Sequence, residues 1–251
     1  MTADDQVTSQ AQPKSPHRLA RTPVGEAGGS PAGCSTSSPV LRIAPCSRAA
    51  ARYAVENWHY TQKLPSGGLF TVGVWEDRKF VGCVIFSRGA NGRMGKRIGL
   101  NDQRECVELT RIALDEHHHS VTHILKHALR ELREHNPRVR GVMSYADPEQ
   151  GHHGGIYQGG GWSFIGLSSK TDEMILNGQR MHLRSVNAKY GTASAPALRA
   201  RGHEVEMISP PRKYVYALGF DRKTRNTIKR LSKTPPGRHD ARAATVERID
   251  G

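Results

Sequence analysis

The chain contains no run of 18 apolar residues, so nothing in it reads as a membrane-spanning helix. It has no charged-then-apolar start, so no secretory signal is expected and the cytoplasm is the expected compartment. Aromatic residues make up only 6% and hydrophobic residues 36%, which places part of the 251 residues outside any core. The four cysteines, Cys34, Cys46, Cys83 and Cys106, form no CxxC pair, which excludes a cysteine-based zinc site. Cys83 and Cys106 sit in apolar, strand-like runs, as free thiols of a reducing compartment do. There is no GxGxxG and no Walker lysine motif, so neither a Rossmann site nor a P-loop is supported. His123 and His127 are spaced i, i+4, but Ile124, Leu125 and Lys126 lie between them, so the glutamate base of a zincin is missing. The consecutive His117, His118 and His119 cannot converge on one ion and read as a solvated loop.

Acidic residues are also scarce, at 23 against 37 Lys plus Arg, for a net charge of +14. Residues 1–39 carry none of that excess, while 40–211 and 212–251 carry +7 each. A basic balance of this size favours a polyanionic partner, with nucleic acid the first candidate. Nineteen of residues 1–39 are Ser, Thr, Pro or Gly, and such a segment buries too little to offset its ordering entropy, so it is expected as a disordered tail.

Order is expected from Val40. Ser47 is a helix N-cap for Ala49–Trp58. Leu69–Trp75 and Lys79–Phe86 read as a hairpin through Glu76, Asp77 and Arg78. Arg88–Arg104, with four glycines and five basic residues, reads as a mobile basic loop. Glu105–Leu114 is a strand, Asp115–His119 a polar turn, and Ser120 caps a helix with Val121, Ile124, Leu125, Ala128, Leu129 and Leu132 along one stripe. Asn136 and Pro137 end it, and Arg138–Ala146 is the next strand. His152–Gly160 suggests a short helix, Trp162–Leu167, Glu173–Leu176 and Met181–Val186 late strands, and Tyr214–Leu218 a final strand, with fraying beyond Leu231. This order predicts one α/β domain on a mixed sheet over 40–236, followed by a frayed polar tail over 237–251.

Four places can carry chemistry. His59 and Tyr60 follow the first helix. The strand-to-helix junction at Ser120 offers unpaired amides to an anion, to which Arg111 can add a bidentate clamp. Asp147, before Pro148, closes a strand at the end where α/β sheets keep function, as base, ligand or turn former. The glycine- and histidine-rich 151–162 segment lets backbone approach a ligand, and Tyr157 in it can donate a proton or ligate a hard metal.

The element order, with Ile156-Tyr157 followed by Gly161-Trp162, resembles the GNAT acyltransferase fold. More specifically, His59-Tyr60, the Phe70–Asp77 run, Arg88-Gly89-Ala90-Asn91, Glu105–Arg111, Ser144–Asp147, Gly151–Gln158 and His182–Ser185 together resemble the Mom family of phage DNA hypermodification proteins, from about Cys46 to about Gly237. The resemblance implies a GNAT-like mixed sheet flanked by helices and conversion of adenine in double-stranded DNA to N6-carbamoylmethyladenine, which shields phage DNA from restriction. The chain departs from the pattern in its long polar N-terminus and in the Gly159–Gly161 run. Carried over, the resemblance implies a site of His59, Tyr60, Asp147 and Tyr157, with Arg111 and Ser120 at the donor's anionic end.

Simple acyl transfer does not give that product, because the new group joins N6 through a methylene carbon. The bond needs either an activated carbon on an unknown carbamoylmethyl donor or exchange of the adenine amine for a glycinamide nitrogen. His59, Tyr60, Asp147 and Tyr157 are the ligands expected if iron takes part. Acetyl-CoA is disfavoured, because Asp115–Ser120 has no glycine. Reaching N6 requires base flipping. Arg88, Arg93, Lys96 and Arg97, with Lys213, Lys229 and Arg230, are the expected DNA contacts. The general base is open among Asp147, Glu105 and Glu108. The competing readings are a GNAT-type N-acetyltransferase acting on an amine or protein, and a non-catalytic DNA-binding protein.

Overall fold

A computed structural model describes residues 38–65, 67–89 and 92–249. The tail expected over 1–39 lies almost wholly outside the described residues. In chain order the elements are β1 (Leu41–Pro45), α1 (Arg48–Trp58), β2 (Leu69–Glu76), β3 (Lys79–Ser87), β4 (Cys106–Leu114), α2 (Val121–His135), β5 (Gly141–Ala146), α3 (Gly155–Gly159), β6 (Ser163–Leu167), β7 (Glu173–Leu176), β8 (Gln179–His182), α4 (Leu183–Tyr190), α5 (Ala195–Ala200), β9 (Val205–Ser209), β10 (Tyr214–Gly219), α6 (Arg222–Leu231), α7 (Arg238–Arg242) and β11 (Glu247–Ile249). A seven-stranded sheet runs β1-β2-β3-β4-β5-β10-β6, and a four-stranded one β11-β9-β7-β8. Every pairing is antiparallel except β4 with β5.

Period-2 alternation splits the large sheet's faces between two sets of helices. Val84, Phe86, Leu109 and Val142 face α2, whose stripe buries Ile124, Leu125, Ala128 and Leu132. Cys83, Ile85 and Ala113 face Ala51, Ala54 and Val55 of α1. Beyond them Met143, Val215 and Ala217 pack against Ile228 of α6. The caps are as the composition suggests: Ser47 and Ser120 accept from Ala50 and His123 amides. Asp77 and Arg78 both take positive φ, giving the β2–β3 turn the backbone hand that matches strand twist.

Two features of β4 open the sheet. Ile85 pairs with Arg111 and Phe86 with Leu109, so Thr110 is an extra, bulged residue. Glu108 pairs with Ser87 and Arg111 with Ile85, so the bulge brings both charged side chains onto the α1 face. The parallel pairing with β5 runs from Cys106–Gly141 to Leu109–Ser144, while β4 continues to Leu114 and β5 to Ala146. Past Ser144 the two strands part.

Several expectations change. Residues 88–104 are not simply a mobile basic loop. Met94, Ile98 and Leu100 are buried around a 3-10 turn over Met94–Ile98 and anchor the segment under the sheet. Met181–Val186 is not one strand: β8 stops at His182, whose ring accepts from the Arg184 amide and starts α4. The frayed tail expected over 237–251 gives way to α7 and β11, the latter paired with β9. β1, β9 and the helices after β8 were not anticipated.

Gly154 starts α3 at φ 86, and a Cβ there would lie 2.2 Å from the Tyr216 ring. Left-handed strain of about 1–2 kcal/mol adds to overpacking of about 1–3 kcal/mol. Gly154→Ala is therefore expected to lower unfolding free energy by roughly 2–5 kcal/mol in chemical denaturation, and an unchanged midpoint would contradict this packing.

Candidate active site

The parting of β4 and β5 leaves the Leu109 carbonyl without its next strand partner, and a side chain fills the role. The Ser144 hydroxyl lies 2.9 Å from the Leu109 carbonyl oxygen and 2.8 Å from the Tyr157 hydroxyl. Ser144 has one hydrogen and the carbonyl can only accept, so Tyr157 donates to Ser144. Tyr157 is 8% exposed, packed between Trp162 and Tyr216, and burial pushes its phenol up to about 12. It is neutral and buried at the slit. Gln158, beside it, donates to the Tyr216 hydroxyl at 2.9 Å and the Pro236 carbonyl at 3.2 Å, fixing the turn.

Tyr60 and Asp147 line one cavity of about 870 Å³, with Tyr145, Arg180 and Lys213. Asp147 Oδ2 accepts from Lys213 Nζ at 2.8 Å, and Oδ1 from the Glu149 amide at 3.2 Å. Burial works against the Lys213 ammonium, but its bond to Asp147 and the nearby Tyr60 and Glu173 raise it overall. Behind Asp147, Glu149 and Glu173 both hold Arg180, which ties the β7–β8 hairpin to the cavity wall.

His59 stacks on Tyr60 with ring centroids 4.5 Å apart. Burial, then the Arg111 and His152 charges, lower His59 to about 4, so its imidazole is neutral at pH 7. Its Nδ1 accepts from the Thr61 amide at 3.1 Å, which leaves the proton on Nε2 as a hydrogen-bond donor. Tyr60 is 53% exposed, and partial burial pushes its phenol up, with Lys213 and Arg111 pulling against Asp147 and Glu149. Arg111 Nη1 donates to the Thr110 carbonyl at 2.7 Å, while its buried Nε has no partner among the described residues.

His59, Tyr60, Asp147, Tyr157 and Arg111 thus form one electrostatically connected group, and Ser120 is apart from it. Ser120 lines a separate cavity of about 690 Å³ along α2 with Lys126, Arg130, Arg133 and Arg225. Arg111 and Ser120 do not share a donor-anion site. The loop before α2 is itself filled: the Glu76 carboxylate accepts from the His118 and His119 amides at 2.8 and 2.9 Å, and from both Nδ1 atoms at 3.0 and 2.8 Å. Glu76 is 4% exposed. Burial opposes its charge, but the two amides and two rings outweigh that and hold it at about 2. His119 is therefore held rather than solvated, while the His118 side chain stays exposed, and both backbone amides are unavailable to an anion at this loop.

The four expected iron ligands do not fit iron as arranged. Asp147 would have to release Lys213, and Tyr157 would have to leave Ser144 and ionise where burial opposes it. Among the described residues no three His, Cys, Asp or Glu side chains converge.

Of the expected DNA contacts, Lys213 belongs to the cavity instead, and Arg97 donates to the Ile165 carbonyl at 2.8 Å. Arg88, Arg93, Lys96, Lys229 and Arg230 are exposed, the last two on α6. Sequence reasoning missed Lys213 as the partner of Asp147, because their approach depends on β10 lying beside β5. Glu105 is engaged by Arg140 at 2.9 Å.

The mixed sheet flanked by helices, with a single parallel pair that parts beside a buried tyrosine, has the layout that the GNAT-like resemblance implies. The model of the Mom protein family matches residues 40–236, and the chain belongs to that family. It is 29% identical over 201 residues to the Methylcarbamoylase mom of Escherichia phage Mu, spanning 78% of this chain and 83% of that protein. Among solved structures it is similar to FeeM, an N-acyl amino acid synthase from uncultured soil microbes, with TM-score 0.38, 11% identity, and coverage of 76% of this chain and 95% of that one.

Glu76→Gln removes a buried charge and sets an N–H against amide donors, so a loss of about 3 kcal/mol is expected. The depressed Glu76 pKa makes its contribution complete above the unfolded value of 4.5 and lost as pH falls toward about 2. Wild-type stability should drop over that interval more steeply than the variant's, and parallel pH curves would sink the assignment.

Proposed function

We propose that the protein is a transferase that modifies adenine in double-stranded DNA, forming N6-carbamoylmethyladenine and so protecting phage DNA from host restriction. Its relationship to the phage Mu protein supports modification chemistry. The observation that carries the adenine reading is the open cavity behind a half-exposed Tyr60 stacked on a neutral His59. A flipped base can stack on the Tyr60 face that His59 leaves free. Lys213 pairs with Asp147 beside it at 2.8 Å. Tyr157 supplies a proton to the departing group at the slit.

Double-stranded DNA is the partner the charge favours. On α6, Arg222, Lys223, Lys229 and Arg230 are exposed, and the only carboxylate at that helix is its N-cap Asp221. With Arg88, Arg93 and Lys96 they form the DNA-facing set, on the α1 side of the sheet. The filled α2 loop weighs against an N-acetyltransferase using acetyl-CoA, and the cavity's titratable groups are unneeded in a passive DNA-binding protein.

Nucleoside mass analysis of DNA from cells expressing the chain tests the reading: a carbamoylmethyl-adenosine peak is expected, and unmodified DNA refutes it. Tyr157→Phe should lower its yield by roughly 10²-fold or more. Affinity for duplex DNA should fall with salt by roughly 0.9 log units per log unit for each phosphate contact. Removing both Lys229 and Arg230 should flatten that slope by about 2.

A further inference from the structure

The modification just proposed requires a proton to leave N6, and this inference rests on that reading. An adenine amine is a poor nucleophile, because its lone pair is delocalised into the ring. As the new C–N bond forms, an N6–H bond must break, and a base must stand ready to receive the proton.

Most candidate bases near the slit are committed. Asp147 has one oxygen on Lys213 and the other on the Glu149 amide. Glu105 is held by Arg140. Glu149 and Glu173 hold Arg180. The His59 Nδ1 lone pair faces the Thr61 amide. Glu108 differs from all of these: it has no hydrogen bond or ion pair among the described residues, although it is partly buried on the same sheet face as Arg111. The Thr110 bulge puts it there, two residues before the strands part. Gly89 makes room for it, since a Cβ at Gly89 would lie 2.8 Å from Glu108 Oε2. Glu108 is level with Met143, two residues before the cavity-lining Tyr145 on the same face of β5, and a carboxylate given space but no partner there is placed to take a partner from the substrate.

We propose that Glu108 is the catalytic base that receives the N6 proton of the flipped adenine. In the step, N6 bonds to the methylene carbon of an activated carbamoylmethyl donor. That carbon's bond to its leaving group breaks with the electron pair going to the leaving group, and the N6 proton passes to Glu108. The charged and titratable groups around Glu108 are Arg111 on β4, Lys213 before β10, Tyr145 on β5, Tyr157 on α3 and Cys106 on β4. Burial raises Glu108 above the ordinary carboxylate range, and Arg111 and Lys213 keep it from rising further. A raised carboxylate is a stronger proton acceptor than a surface one, and its ionised form grows in as pH rises.

The test compares full-length wild type, Glu108→Gln and Glu108→Asp on duplex DNA, with DNA binding, thermal melting and the pH dependence of modification measured together. Glu108→Gln is expected to bind DNA as wild type does and to lose roughly 10²–10⁴-fold in turnover. The acid limb of the pH profile should be present in wild type and absent in Glu108→Gln. Glu108→Asp, with a carboxylate one methylene shorter, should keep the limb at reduced rate, which separates proton transfer from a folding defect. Wild-type turnover in Glu108→Gln, or an unmoved acid limb, overturns the proposal while leaving DNA modification standing. A wild-type protein that modifies no DNA overturns both, and the nucleoside analysis reports that outcome separately.

Discussion

The separation of β4 from β5 above Leu109 and Ser144 is the constraint on which the rest of the molecule depends. Two parallel strands that stay paired have no room between them and no unsatisfied groups. Here the bulge at Thr110 shifts β4 by one residue, the ladder ends, and a backbone carbonyl is left to a serine hydroxyl. That vacancy sets where Tyr157 can sit, and the short α3 turn exists to deliver it. Gly154 is part of the same device, because only a residue without a Cβ can lie against Tyr216 at that φ.

Several of the few acidic side chains among the described residues have definite structural partners. Glu76 closes the loop before α2, Glu105 and Asp221 share Arg140, and Asp147 holds Lys213. Each ion pair at the surface contributes little alone. The buried Glu76 is different, because four donors converge on it and leaving them unmatched is costly. It fixes the loop before α2 by accepting from the His118 and His119 amides and rings together.

The elements with strong periodicity or caps were legible in the sequence: α1 from Ser47, the β2–β3 hairpin, and α2 from Ser120 with its apolar stripe. The candidate set His59, Tyr60, Asp147 and Tyr157 is what the family resemblance implies, and the structure sets Tyr60 and Asp147 on one cavity. What could not be read was pairing at a distance. Lys213 looks like one more basic residue until β10 brings it beside β5, and nothing local to Glu76 announces His118 and His119. The basic 88–104 segment misled because its charge is conspicuous and its three anchoring residues, Met94, Ile98 and Leu100, are spread too thinly to show a period. Beyond Leu231, polarity hid α7 and β11, which are held by pairing and side-chain bonds more than by apolar burial.

The Pro236 carbonyl is bonded by Gln158, and Arg238 and Arg242 of α7 line a cavity of about 590 Å³ that reaches Tyr157. The wall beside the slit is therefore built by a segment 78 residues and more downstream of Gln158, so the cleft is completed by long-range packing rather than by anything local to α3.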